Sequence, residues 1–178
     1  TSPQHVKVAD MLTTIINRIG AGEYTLSDSV YSGGEVIIPI TITSNTAHNV
    51  PSGTAFNREC WVECIVIHNN DTLFSSGVID SNYDFLNTDD SQLLLFTSYL
   101  LDENGDTTFS ITNTHDIINK TLPALGNRFH LYTFNLPNEI SGTLEVYTKV
   151  LFRPFRPLLI EEETPQFLHN LPIFDMAS

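Results

Sequence analysis

The sequence predicts an all-β domain, an Ig-like or fibronectin-like antiparallel β-sandwich with a short N-terminal helix. From Tyr24 onward, β-branched and aromatic residues gather in short runs. Gly, Asn, Asp and Pro separate those runs, which is the pattern of strands joined by turns. The length, 178 residues, suits one domain of ordinary size with a short appendage. Hydrophobic residues make up 41% and aromatic residues 10% of the chain. That is enough apolar material to bury a core, and it excludes a disordered acidic tail.

The first twenty residues carry a different pattern. Val8, Leu12, Ile15, Ile16 and Ile19 fall at helical spacing, with Ser2-Pro3 as a start signal and Gly20 as a stop. A helix over about 3–19 is expected, within an N-terminal connector spanning 1–20. Strands follow at about 24–30, 35–43, 58–68, 72–79, 92–101, 106–112, 129–136 and 142–152, composing a sandwich over 21–153. Asn69-Asn70-Asp71 and Asp102-Glu103-Asn104-Gly105-Asp106 lie between such runs and read as hairpin turns, because Asn, Asp and Gly tolerate positive φ. After Arg153, the prolines at 154, 157 and 165 cannot continue a central strand, since proline has no N–H to donate. Residues 154–178 are therefore expected as an extended tail packed along the domain or onto a neighbour. Its Phe155, Phe167, Leu168, Ile173 and Phe174 make self-assembly through the tail a candidate role.

Eight Lys and Arg against 21 Asp and Glu leave a formal charge of −13. Such a surface repels nucleic-acid backbones and anionic membranes, so neither is an expected partner. No apolar run approaches the roughly 18 residues of a spanning helix, and no basic-then-apolar leader opens the chain. Beginning at Thr1, the chain reads as a matured product or a piece of something longer. Cys60 and Cys64 share a predicted strand, roughly 13 Å apart at about 3.3 Å per residue, beyond disulfide reach. Alternation points them inward with Val62 and Val66 as small hydrophobes. With three residues between them and no following His, they also fail the Cys-x-x-Cys-His pattern of covalent haem attachment.

The stretch Asn45-Thr46-Ala47-His48-Asn49-Val50-Pro51-Ser52-Gly53 follows a predicted strand and leads into Arg58 and Trp61. It resembles the C-terminal β-sandwich domain of bacterial multihaem c-type cytochromes. There a strand ends in Asn, a loop carries Gly-His-x-x-Pro-Thr-Gly, and an Arg and a Trp follow on the next strand. Ala47 replaces the usual Gly and Ser52 the usual Thr. Ser76-Gly77-Val78-Ile79-Asp80, His115-Asp116, Tyr132-Thr133-Phe134-Asn135-Leu136-Pro137 and Phe152-Arg153-Pro154-Phe155 extend the likeness over residues 35–155. The resemblance implies a haem-free module in the bacterial periplasm or at the cell surface. Its partner would be a haem domain or a cytochrome, whose haem c belongs to an adjoining domain or a separate chain.

His48, held in a loop braced by Pro51 and Gly53, is a candidate ligand to haem iron or another metal; the alternative is a hydrogen bond across its own loop. His5, on the predicted helix, is a second candidate. The remaining histidines show no spacing that gathers them. Asp80, Asn82, Asp84, Asp89 and Asp90 crowd one connection with hard oxygen donors suited to calcium. Asp102-x-Asn104-x-Asp106 has part of a calcium-loop spacing without the distal Glu of an EF-hand. No nucleophile elbow, phosphate-binding glycine loop or His-Glu-x-x-His is present, so the expected role is non-catalytic. Either the domain docks or shields a haem domain in extracytoplasmic electron transfer, or it is a calcium-stabilised binding, adhesion or assembly module. Trp61 is expected to be buried, and Arg58, Arg153 and Arg156 to be partly buried anchors beside carboxylate or carbonyl acceptors.

Overall fold

A computed structural model describes the backbone of residues 6–10, 22–32 and 34–177, and the side chains of 34–137 and 143–177. Twelve strands are present among them. They are β1 (Val6–Asp10), β2 (Gly22–Ser32), β3 (Glu35–Ser44), β4 (Glu59–His68), β5 (Asp71–Ser76), β6 (Leu95–Phe96), β7 (Ser98–Leu101), β8 (Thr107–Thr108), β9 (Asp116–Asn119), β10 (Asn127–Asn135), β11 (Asn138–Arg153) and β12 (Phe174–Ala177). One sheet runs β1-β3-β10 and a second β12-β11-β4-β5, with β2 also on β11 and β6 on β4. A small sheet, β8-β7-β9, stands apart from both. Every strand pair is antiparallel, as the sandwich class requires.

Alternation builds the core. Val36, Ile38, Ile40 and Ile42 of β3 and Tyr132 of β10 meet Cys60, Val62, Cys64 and Val66 of β4 and Leu144 and Val150 of β11. Strands β4 and β11 pair from Glu145↔Ile67 to Arg153↔Glu59, so the inward set of one strand lies beside that of the other. Burial pushes the Cys60 thiol up to about 12, which keeps it an unreactive small hydrophobe at neutral pH. The hairpin between β4 and β5 turns through Asn69 and Asn70, both at positive φ. The next hairpin, β7 to β8, turns at Gly105, also at positive φ, with Asp102 accepting the backbone N–H groups of Asn104 and Asp106.

Three expectations need correction. The strand expected over 106–112 is only Thr107–Thr108, followed by a 3-10 turn at Ile111–Asn113. Residues 6–10 are not helical: they form β1, paired with β3 from Val6↔Ser44 to Asp10↔Ile40. Val6-Lys7-Val8-Ala9 alternates as well as it satisfies a helical period, and the open edge of β3 decides between them. The rest of the expected helix, including His5, lies outside the described residues. The tail is also not extended throughout. Pro157–Glu163 forms α1, entered through Pro at the first helical position, and Pro165–Asn170 forms a 3-10 turn. Only then does β12 return to pair along β11. Among the described residues, no helix is long and apolar enough to cross a membrane.

Candidate functional site

The loop after β3 is built by hydrogen bonds that leave one imidazole nitrogen uncommitted. Thr46 Oγ1 donates to the His48 carbonyl at 2.7 Å, and Ser44 Oγ lies 2.9 Å from Thr46 Oγ1. Asn49 reaches across to the segment before β10: its Nδ2 donates to Thr121 Oγ1 and its Oδ1 accepts from Ala124 N, both at 3.1 Å. Val50 and Leu122 exchange backbone bonds of 2.8 and 2.9 Å, and the Val50–Pro51 peptide is cis. Gly53 sits at φ +69°, and Arg58 Nη1 donates to the Ser52 carbonyl at 2.7 Å. His48 itself is exposed, with Nδ1 3.1 Å from the Asn49 carbonyl. A carbonyl only accepts, so Nδ1 carries the proton and the Nε2 lone pair is free to bind a metal or accept a hydrogen bond. Asn45 is exposed at the loop's entrance, whereas Pro51 is buried at its base.

Directly after that loop, the outer face of β4 is covered rather than solvated. Trp61 is fully buried, its Nε1 donating to the Gly77 carbonyl at 2.8 Å and its ring edge-on to Phe85 at 5.6 Å. Arg153, opposite Glu59 on β11, donates through Nε at 2.6 Å to the Glu59 carboxylate and through Nη1 to the Tyr83 carbonyl. Its guanidinium lies 5.1 Å from both the Trp61 and Phe85 ring centroids. Arg156 continues the cluster, with Nε 3.5 Å from the other Glu59 oxygen and Nη2 donating to Thr97 Oγ1 and the Ser98 carbonyl. Two planar cations thus share one buried carboxylate, an arrangement that locks the tail, β4 and β7 together. Sequence reasoning singled out Arg58, Trp61, Arg153 and Arg156 but missed Glu59 and Thr97. Glu59 had a usable signal, an acidic residue next to the inward-pointing Cys60 at the start of a mostly apolar strand.

Two carboxylates of the acidic connection are engaged in its own backbone turns. Asp80 Oδ1 accepts the backbone N–H groups of Asn82 and Asp84 at 2.8 and 3.1 Å, closing its own turn. Asp90 Oδ2 accepts from Ser76 Oγ and Gly77 N, and its Oδ1 accepts from Gln92 N. Asp84 and Asp89 are exposed. Among the described residues, no group of three or more His, Cys, Asp or Glu side chains is placed to hold a metal. The aromatic residues Trp61, Tyr83, Phe85 and Tyr99 likewise form no open platform, because Trp61 is buried and Tyr99 lies under the Arg156 guanidinium.

No protein-family model matches the chain, and no curated protein sequence is similar to it. Among solved structures, the fold is similar to that of a penta-heme cytochrome c552 from Thermochromatium tepidum, with a TM-score of 0.60 at 16% sequence identity. The likeness covers 96% of this chain and 38% of the cytochrome, so this chain spans well under half of that protein's length. At that identity the shared property is the fold.

Proposed function

We propose that the chain is a non-catalytic β-sandwich module that docks or shields a haem domain or a cytochrome partner in extracytoplasmic electron transfer, in the periplasm or at the cell surface. The observation that carries this reading is the fold likeness to the penta-heme cytochrome, which extends over nearly all of this chain but only 38% of that one. The loop from Asn45 to Arg58 adds support, since it presents an exposed His48 with Nε2 uncommitted on a braced scaffold. In this role the module holds a neighbouring haem domain and limits the solvent reaching it. The acidic surface steers basic partners over long range.

The test is a visible absorption spectrum of the protein isolated from its native source, with the intact mass taken on the same sample. A Soret band travelling with a mass above 19.9 kDa, or with a tightly bound second chain, is the expected result. His48→Ala then either changes that spectrum, as loss of an axial ligand would, or assigns His48 to the loop alone. A colourless protein of 19.9 kDa whose melting temperature drops by several degrees with chelator overturns the proposal in favour of a calcium-stabilised binding module.

A further inference from the structure

Basic side chains are scarce, eight in the whole chain, and the buried cluster around Glu59 takes Arg153 and Arg156 while Arg58 caps its own loop. Two others, Lys120 and Arg128, line one cleft of about 430 Å³. The Arg128 side chain makes no hydrogen bond or ion pair among the described residues, and Lys120 Nζ lies 5.4 Å from the Tyr99 ring centroid. The rest of the lining is mainly apolar, from Leu93 to Phe96 on the approach to and along β6 and from Tyr99 of β7, with Asn119 beside Lys120. The single carboxylate in the wall is Asp90, whose oxygens accept from Ser76, Gly77 and Gln92.

Both walls are held by bonds that do not depend on a ligand. On one side Lys120 N donates to the Thr97 carbonyl at 2.9 Å, fixing the end of β9 beside β7. On the other, Gln92 pairs with the Thr133 backbone through both its amide atoms, and His130 Nε2 donates to the Gln92 carbonyl at 2.8 Å. The volume falls in the range of small-molecule sites, which join an apolar lining to a few fixed polar groups. The chain's charge of −13 does not forbid an anion here, because distant charges are screened over about 8 Å at physiological salt and the nearest unpaired groups are cationic.

We propose that this cleft binds a small organic carboxylate with an apolar body, Arg128 and Lys120 taking the carboxylate and Leu93 to Leu95 with Tyr99 taking the body. The cleft makes no use of the His48 side chain, although Lys120 adjoins Thr121, to which Asn49 of the His48 loop donates, and its occupancy does not depend on a haem partner.

The test is a titration of the whole chain with sodium octanoate, followed by amide chemical shifts and thermal melts, with octanol as the uncharged control. Octanoate is expected to perturb amides at Leu93 to Phe96 and Lys120, to raise the melting temperature, and to bind more weakly as salt rises. Arg128→Gln and Lys120→Gln should each lower its affinity about tenfold, the loss of one charge-assisted contact. Both side chains are exposed, so circular dichroism of the variants should match that of the parent. Equal affinity for octanol, unchanged affinity in the double variant, or shifts confined to other residues would each overturn the site.

Discussion

Gly77 shows how far a single missing side chain can matter. It lies at φ +69°, and a Cβ placed there would sit 2.2 Å from the Val62 carbonyl oxygen. Its N–H donates to Asp90 and its carbonyl accepts from Trp61, so the peptide cannot shift without breaking both. Gly77→Ala is expected to lower stability by about 3 kcal/mol or more, combining left-handed strain with a backbone clash. Gly105, at φ +85° with nothing within 4 Å of where a methyl group would lie, is the control. Gly105→Ala should lose only about 1–2 kcal/mol, from backbone conformation. Urea midpoints of the two variants decide the matter, and equal losses would show that the Val62 contact relaxes freely. The sequence marked Gly77 only as part of a motif; the approach of β4 that forbids a Cβ is a long-range fact.

The strand pair β4–β11 carries its own test. Registry places Glu59 opposite Arg153, and both side chains are almost wholly buried, at 8% and 2% exposure. Removing one member strands the other charge away from water, so Glu59→Gln or Arg153→Met alone should reduce stability by about 3–5 kcal/mol. The double variant should lose clearly less than the sum, because neither member of this pair is then stranded and only Arg156, 12% exposed, still loses its carboxylate. A double-mutant cycle by chemical denaturation measures that coupling, and strict additivity would show that the two groups act independently. The arginines were legible in the sequence as anchors needing acceptors. Which acceptor served them was not, since residues 59 and 153 become neighbours only through strand pairing.

For the molecule as a whole, stability should depend on pH through a histidine that belongs to no proposed metal site. His130 is half-buried, edge-on to Tyr132 at 4.6 Å. Burial lowers its pKa from the ordinary 6.5, while the Gln92 carbonyl and Asp90 partly oppose the shift. The unfolded chain therefore takes up the proton first as pH falls. Stability is complete above about 6.5 and declines as pH drops through the lower folded value. Asp102 is also lowered, by the backbone N–H of Asp106 and Asn104 ahead of a small opposing desolvation, but it acts only below its ordinary 3.8. Melting temperatures taken from about pH 7 to about pH 5 should fall, and His130→Gln should flatten that slope. An imidazole titrating at or above 6.5 by NMR would contradict the prediction.

Local pattern along the chain was enough to settle the class of the fold, most strand positions, the Asn69-Asn70 and Asp102 to Asp106 turns, and the inward cysteines. Each of these follows from a local period or from a residue's own φ preference. Contacts between distant segments set the rest. They made residues 6–10 a strand, because an open edge of β3 accepts their backbone bonds. They turned the tail into a short helix and a returning strand, because β11 offers its other edge. They placed Lys120 and Arg128 on one cleft, although the two stand on opposite sides of a turn whose spacing signals nothing. Local pattern fixes which face of an element is apolar; only packing fixes which charges are left facing each other.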